Sequence, residues 1–305
     1  MAGKEEKNLD IRQLEVFVSV CRSGNFSKAA KELYLTQPTV SSHIVQLEEE
    51  LGFYLFERRG RKIVLTEAGE KFYPYALGVL DLMQKTRESF SAYKNEFKGE
   101  IRIIASQTPG NYLLPKLLKE FKEKFTEIKL NISIFNSEEV IEKLLNYEAD
   151  IGFVGSEYNF DKLKFIPFED DKLVLISSKE SDLRSRSNSK GEVRVEDILD
   201  FPFIVRKRGS ATLKTFEKYL AKEFNRDLSS MNVALEVDSI EGVKNFVKEG
   251  FGISVISHHC INNQDELLSF EIEGMDIKRK FYGVYHKNRV ISPSCERLLD
   301  FIAEK

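Results

Sequence analysis

The sequence predicts an α/β chain in three parts: a small helical unit ending in a β-hairpin, one long helix, and a larger region of alternating strands and helices. Three observations carry this reading. Apolar residues recur at helical spacing between positions 11 and 51, interrupted by two short turns. A basic turn then separates two short apolar runs, as in a hairpin. Beyond Gly99 short apolar runs alternate with amphipathic segments, the pattern of a parallel α/β sheet.

The elements follow in order. Leu14, Phe17, Val18 and Cys21 give one helical face, ended by Ser23-Gly24-Asn25. A short second helix carries Phe26, Ala29, Ala30 and Leu33. After a break at Tyr34-Leu35, Thr36 is an N-cap and Pro38 fits a first turn. The third helix buries Val40, Ile44, Leu47 and Leu51 and stops at Gly52. Arg58-Arg59-Gly60-Arg61-Lys62 is the turn of a small hairpin, with Leu55-Phe56 before it and Ile63-Val64-Leu65 after. Thr66 caps a long helix to about Phe97, kinked at Pro74, with Phe72, Val79, Leu82, Met83, Phe90, Tyr93 and Phe97 on its apolar face. Nothing in its own domain is expected to cover that face, so a second copy should. Strands are expected at IRIIAS, KLNISIF, ADIGFVG, KLVLISS, FPFIVR, VALEV and GISVIS. Helices are expected at Leu113–Phe125, Val140–Leu145, Thr212–Phe224 and Ile240–Glu249. Lys179–Gly191 reads as a surface loop.

Composition narrows the function. A chain of 305 residues is long for one domain. With 42 % hydrophobic and 31 % charged residues it packs cores and is not disordered. The net charge of −3 means that any nucleic-acid contact must rest on locally concentrated basic residues. Cys21, Cys260 and Cys295 are odd in number, far apart and without a CxxC pair, so they read as plain thiols. The start MAGKEEKNLD lacks the apolar run of a signal peptide, and no stretch has the length of a membrane span; a cytoplasmic protein is expected. No GxSxG, HExxH or strand-linked GxGxxG occurs, so no enzyme and no cofactor are expected. His258 and His259 are adjacent, are expected to point apart, and read as ordinary surface histidines.

The chemistry concentrates in positions 11–69. Two short helices, a tight turn and a helix beginning TQPTVSSHI form a helix-turn-helix, whose second helix presents its N-terminal residues to base edges in the major groove. Gln37, Pro38, Thr39, Ser41, Ser42 and His43 are the candidate DNA-reading residues. Arg58, Arg59 and Arg61 on the following wing repel one another unless an anion is near, which suits the phosphate backbone or a minor groove. A merely solvated helix face and loop is the plainer alternative.

SGNFSKAAKELYLTQPTVSSHIVQLEEELGFYLFERRGRKIVLTEAG resembles the DNA-binding region of LysR-type transcriptional regulators. The resemblance lies in Ala29-Ala30, Leu33, Thr36-Gln37-Pro38, Ser41, LEEELG, Leu55-Phe56, Arg58 and Leu65-Thr66-Glu67-Ala68-Gly69, and it extends along the chain. It implies a winged helix-turn-helix over 1–65, a dimerising linker helix over 66–97 and a periplasmic-binding-protein-like effector domain over 98–305. That domain divides into subdomain I, 98–165 and 270–305, and subdomain II, 166–269, with crossings near Phe165-Ile166 and Ser269-Phe270. It implies further a homodimer or dimer of dimers, promoter DNA and RNA polymerase as partners, and a small-molecule effector.

The effector site follows from chain geometry. IRIIAS ends at Ser106 just before a helix, and ligands of α/β sheets bind beyond strand carboxyl ends, where helix N-termini favour anions. Ser106, Gln107 and Thr108 are therefore candidates, with Arg208, Ser210 and Thr212 opposite and Gly155 leaving room between them. Helix capping alone is the plainer role for these hydroxyls. A carboxylate or sulfate-like ligand is expected. Ser106, Thr108 and Tyr112-Leu113-Leu114-Pro115 resemble the cysteine-biosynthesis branch of the family. The rival readings are a free-standing solute-binding protein and an architectural DNA-binding protein without a ligand response.

Overall fold

The computed structural model describes residues 9–59, 62–92, 99–262 and 264–304. The chain forms two compact units. The first contains the N-terminal helices, the hairpin and the long helix, together with Leu145–Glu148 and Asn288–Ser292.

Local chemistry fixes its helices. α1 (Ile11–Ser23) starts in a capping box: Asp10 accepts from the Arg12 N–H, and Gln13 accepts from the Asp10 N–H at 3.1 Å. α2 (Phe26–Glu32) is capped by Asn25. α3 (Gln37–Leu51) is capped by Thr36, which accepts from the Thr39 N–H at 3.3 Å. Gly52, at φ +78°, ends it. Phe17, Ala29, Val40, Leu47 and Leu55 form the core of the unit, and the Phe17 ring meets Phe56 and Phe72 at centroid distances of 5.4 and 5.2 Å.

The wing is β1 (Phe56–Arg59) paired antiparallel with β2 (Lys62–Leu65). Glu48 of α3 holds its root, accepting from the Leu55 and Phe56 N–H groups at 2.7 and 3.2 Å. Thr66 donates to the Tyr54 carbonyl at 2.6 Å and accepts from the Gly69 N–H at 3.1 Å, which starts α4 (Glu67–Ala92). A Cβ at position 69 would lie 2.2 Å from the Leu55 carbonyl oxygen, so only glycine permits this approach.

The long helix is partly covered within its own unit, contrary to the sequence expectation. Ala76 and Leu77 are buried, and Phe72 packs on the core rather than on the exposed stripe. Asp81 and Lys85 are buried as well. Asp81 pairs with Lys85 at 2.9 Å and accepts from Arg289 Nε at 2.7 Å, and Lys85 donates to the Val290 carbonyl. A return segment distant in sequence supplies this cover, and helical periodicity cannot reveal it. Tyr75, Val79, Leu82 and Phe90 remain exposed. Tyr93 and Phe97 lie outside the described residues.

The second unit runs β3 (Gly99–Ser106), a wide π-type turn at Pro109–Leu113, α5 (Leu114–Lys124), β4 (Ile128–Phe135), α6 (Ser137–Leu145) and β5 (Ile151–Val154). Then come β6 (Leu163–Ser178), α7 (Leu183–Arg186), β7 (Glu192–Val193), α8 (Val195–Leu199), β8 (Phe203–Arg206), α9 (Ala211–Phe224) and β9 (Val233–Val237). It closes with α10 (Ile240–Lys248), β10 (Ser254–Ser257), β11 (Leu267–Ile272), β12 (Lys278–His286) and α11 (Pro293–Ala303).

The sheet is mixed, not parallel as expected. Its order is β4-β3-β5-β12-β6-β11-β7, with β10 also on β6, while β8 and β9 form a separate parallel pair. β3, β4 and β5 are parallel, but β12, β10 and β11 all pair antiparallel to their neighbour β5 or β6. The sequence hid the first half of β6 because it carries Pro167 and three acidic residues, Glu169, Asp170 and Asp171. The register steps past Phe168 there, and the bulge accommodates the proline.

β6 pairs with β12 as far as Lys172 and with β10 from Leu173 onward. The change of partner on β6 thus falls between Lys172 and Leu173, and the chain comes back to the other half between the end of β11 at Ile272 and the start of β12 at Lys278. The expected loop Lys179–Gly191 contains α7, which buries Leu183 fully in the core.

Two stability changes are expected. Asp81→Asn removes the carboxylate from two buried cations and should cost about 3–5 kcal/mol, read as a lower urea midpoint at unchanged m. Burial would raise the Asp81 carboxyl, but the Arg289 and Lys85 hydrogen bonds and charges outweigh it and hold it below the usual range. Its stabilisation is thus complete above the unfolded carboxylate range and is lost as pH falls through the folded value; Asp81→Asn should lack that part of the acid dependence. Glu48→Ala should cost about 1–3 kcal/mol by orphaning two N–H groups, and Glu48→Gln, which keeps an acceptor, should cost less. Equal midpoints for wild type and Glu48→Ala would refute the anchoring role.

Candidate nucleic-acid interface and ligand cleft

The first unit presents the start of α3 to solvent. Gln37, Pro38 and Ser42 are exposed, and Thr39, Ser41 and His43 are half-buried. The Thr39 hydroxyl is 2.7 Å from that of Thr36, and Gln37 Nε2 donates to Ser41 Oγ at 3.3 Å. His43 Nδ1 is buried without a partner. Gln37 and Ser42 are thus the candidate polar groups most open to solvent, while Thr39 is engaged at the helix cap. Arg58 is exposed on β1. The Arg59 side chain and all of Arg61 lie outside the described residues. Tyr34, read from sequence only as a break, is 97 % exposed beside the α3 N-terminus, at φ +56°.

In the second unit the carboxyl ends of β3, β4, β5 and β8 converge on one narrow cleft. β3 lies between β4 and β5, so the crossovers leave it in opposite directions and open a crevice at its end. Ser106 ends β3, and Gln107 and Thr108 follow it; Asn136 and Ser137 begin α6; Gly155 follows β5; Ser210, Ala211 and Thr212 begin α9. Arg206 ends β8, and Arg279 and Phe281 come from β12. A Cβ on Gly155 would meet Phe281 at 3.2 Å and Arg279 Nη1 at 3.3 Å, so glycine keeps the cleft open there.

The polar groups of the cleft are unevenly satisfied. Arg206 is 7 % exposed; its Nη2 donates to the Asp238 carbonyl at 2.8 Å, and its Nε has no partner among the described residues. Burial lowers its pKa from the ordinary arginine value. Arg279 Nε donates to Asp171 Oδ2 at 2.6 Å, while its Nη1 has no partner. Ser257 donates to Asp171 Oδ1 at 2.6 Å. Gln107 spans from β3 to the α10 N-terminus, donating to the Asp238 carbonyl and accepting from the Ile240 N–H, both at 2.9 Å. Cys260 Sγ lies 3.7 Å from Thr108 Oγ1, and burial pushes its thiol up to about 12, so it is unreactive as a thiolate at neutral pH.

The cleft gathers Ser106, Gln107, Thr108, Gly155, Ser210 and Thr212. It does not include Arg208, which is exposed in the turn beyond β8. Arg206, two residues earlier at the strand end, lines the cleft instead. A charged residue closing the apolar run FPFIVR was the available signal. Arg279 and Phe281 lie in a strand that the sequence did not disclose.

His258 and His259 do not point apart. A single tight turn brings their rings together, tilted by 39° with centroids 3.9 Å apart. His258 Nδ1 lies 3.1 Å from Asp171 Oδ1, and His259 Nε2 lies 2.9 Å from the Asp170 carbonyl. Adjacent side chains diverge on a strand, but not on this turn.

Comparison with known proteins agrees with this architecture. Residues 11–70 match the family model "Bacterial regulatory helix-turn-helix protein, lysR family", and residues 94–305 match "LysR substrate binding domain". The chain is 31 % identical over 299 residues to the HTH-type transcriptional activator CmpR of Synechocystis, covering 97 % of this chain and 95 % of that one. It is 31 % identical over 297 residues to the regulator YeiE of Escherichia coli, covering 96 % and 97 %. Among solved structures, a full-length OxyR variant from Pseudomonas aeruginosa superposes with a TM-score of 0.73 at 20 % identity, covering 97 % and 94 %. CbnR in complex with its target DNA gives 0.68 at 22 % identity, covering 97 % and 99 %. The Synechocystis CcmR regulatory domain in complex with 2-PG gives 0.61 at 28 % identity, covering 68 % and 97 %. Among the described residues no helix is long and apolar enough to cross a membrane. A capped helix-turn-helix with its wing, a long helix and a cleft-bearing α/β unit, matched by both family models across nearly the whole chain, place this protein in the LysR family of DNA-binding transcriptional regulators with an effector-binding domain.

Proposed function

We propose that this regulator reads promoter DNA through Gln37, Pro38, Thr39, Ser41, Ser42 and His43 of α3, with Arg58, Arg59 and Arg61 of the wing on the phosphate backbone. A small anionic metabolite bound in the cleft controls it. The observation that carries the ligand reading is the pair of buried guanidinium groups, Arg206 and Arg279, which line one cleft with hydroxyl-bearing strand and helix ends and each hold a nitrogen without a partner among the described residues. Ser106, Gln107, Thr108, Gly155, Ser210 and Thr212 complete the set, with Arg206 and Arg279 in place of Arg208. CcmR, crystallised with 2-PG, supports a small-ligand role for the corresponding domain. The protein acts in the cytoplasm, without enzymatic activity, and engages RNA polymerase once the ligand has shifted its conformational equilibrium. That shift is no larger than the ligand's differential affinity for the two states.

The exposed Tyr75, Val79, Leu82 and Phe90 of α4 support a homodimer through paired linker helices, able to associate into a dimer of dimers. The winged helix-turn-helix, linker and effector domains occupy about 1–65, 66–97 and 98–305.

On the DNA side, Arg58→Ala should weaken binding to all sequences and reduce the salt slope by about 1 for each phosphate it no longer neutralises. Gln37→Ala and Ser42→Ala should change which sequence is preferred. Filter binding that finds none of the three altering affinity would refute the assignment of α3 and the wing. For assembly, Leu82→Glu combined with Phe90→Glu should yield monomers with weakened operator binding, since two half-sites are read jointly; a wild-type monomer by light scattering at micromolar concentration would overturn this. For the cleft, Thr108→Val should abolish ligand-induced change in the DNA footprint with basal affinity retained. An unaltered ligand response in both Thr108→Val and Ser106→Ala would move the site elsewhere.

A further inference from the structure

Among the described residues of the second unit, three cationic side chains are buried, Arg206 and Arg279 in the cleft lining and Lys244 outside it, and two have carboxylate partners. Lys244 lies 2.8 Å from Asp265. Arg279 lies 2.6 Å from Asp171, a carboxylate with no solvent exposure. Arg206 forms no such pair within ion-pair distance: one nitrogen bonds a neutral carbonyl, another has no partner among the described residues, and the Asp238 carboxylate, which attracts Arg206 only from further off, lies 3.7 Å from exposed Lys207. An uncompensated buried charge is costly, and a fold retains one where something else neutralises it. The lining of an open cleft is such a place.

The two guanidinium groups therefore differ in kind. Arg279 has spent its charge on Asp171 but keeps an Nη1–H donor toward Gly155 and Phe281. Arg206 keeps its charge. The N-termini of α6 and α9 add only fractional positive charge, already shared with the Asn136 and Ser210 caps. The two guanidinium groups of the lining thus hold two buried unpartnered donors but one formal charge that no carboxylate pairs within 4 Å.

We propose that Arg206 anchors the anionic group of the effector, and that Asp171, by neutralising Arg279, matches the cleft to small monoanions that offer Arg279 an uncharged oxygen. Hydroxy- and keto-monocarboxylates and half-amides of diacids belong to this class. Asp171 is then a specificity-determining residue that touches no ligand. The inference rests on the cleft reading above and adds to it the sign and count of charge.

Calorimetry on the full-length protein at pH 8, where ordinary imidazoles are neutral, tests it with matched pairs: succinamate against succinate and methanesulfonate against sulfate. Each monoanion should bind at least about tenfold more tightly than its dianionic counterpart, a difference of about 1.4 kcal/mol. Asp171→Asn should reverse that order. Arg206→Met should abolish binding of all four and raise the melting temperature of the ligand-free protein, because it removes an unpaired buried charge; a purely structural arginine would lower it. Tighter dianion binding by wild type overturns the charge match, as does an unreversed order in Asp171→Asn. If Asp171→Asn does not fold, the wild-type pairs and the direction of the Arg206→Met melting shift still decide. Anion binding that survives Arg206→Met, or failure of all four probes to bind wild type, overturns the cleft reading itself.

Discussion

The β6–β12 ladder is the constraint on which the second unit depends. β12 joins β6 to the parallel block β4-β3-β5, while the far end of β6 carries β10 and β11. One continuous strand thus supports both sheet halves, and its partner changes between Lys172 and Leu173. Asp171 sits at that change of partner. It accepts from Ser257 at the end of β10 and from Arg279 near the start of β12, and it has no exposure. Breaking the carboxylate's contacts would leave the Arg279 guanidinium and the Ser257 hydroxyl without it where three strands meet, so the geometry there is tightly specified.

The cleft is a consequence of this arrangement. Parallel strands end on one side, and their crossover helices begin there, so strand ends and helix N-termini collect in the same place. Hydroxyl side chains at such ends cap helices and can also face a ligand; Ser210 does the first while lining the cleft. The arginines add the charge. Their burial makes them strong donors in a low dielectric, and the same burial makes an unpaired one expensive.

The first unit works by different means. Its core is small, and its precision comes from polar staples between neighbouring elements. Glu48 ties the wing to α3, Thr66 ties the wing root to α4, and Gly69 lets the two backbones touch. A recognition helix is useful only if its N-terminus and the wing keep a fixed separation, and these contacts set it.

The sequence by itself determined the local elements of the first unit. Asp10, Asn25, Thr36, Gly24 and Gly52 act within a few residues of themselves, so caps and helical spacing sufficed to place α1, α2 and α3. It also placed Ser106, Gly155 and Ser210 at strand and helix ends that line one cleft, because that rule depends only on chain direction. Tertiary structure decided everything that depended on contacts between distant segments. β12 and the first half of β6 lack a clean period, and pairing alone makes them strands. Arg289 reaches Asp81 across 208 positions, which no periodicity encodes. The charge of Arg279 is neutralised, and that of Arg206 is not, only because the fold placed Asp171 beside one of them. Charge in a buried site is set by neighbours in space, and those neighbours are fixed only when the chain closes on itself.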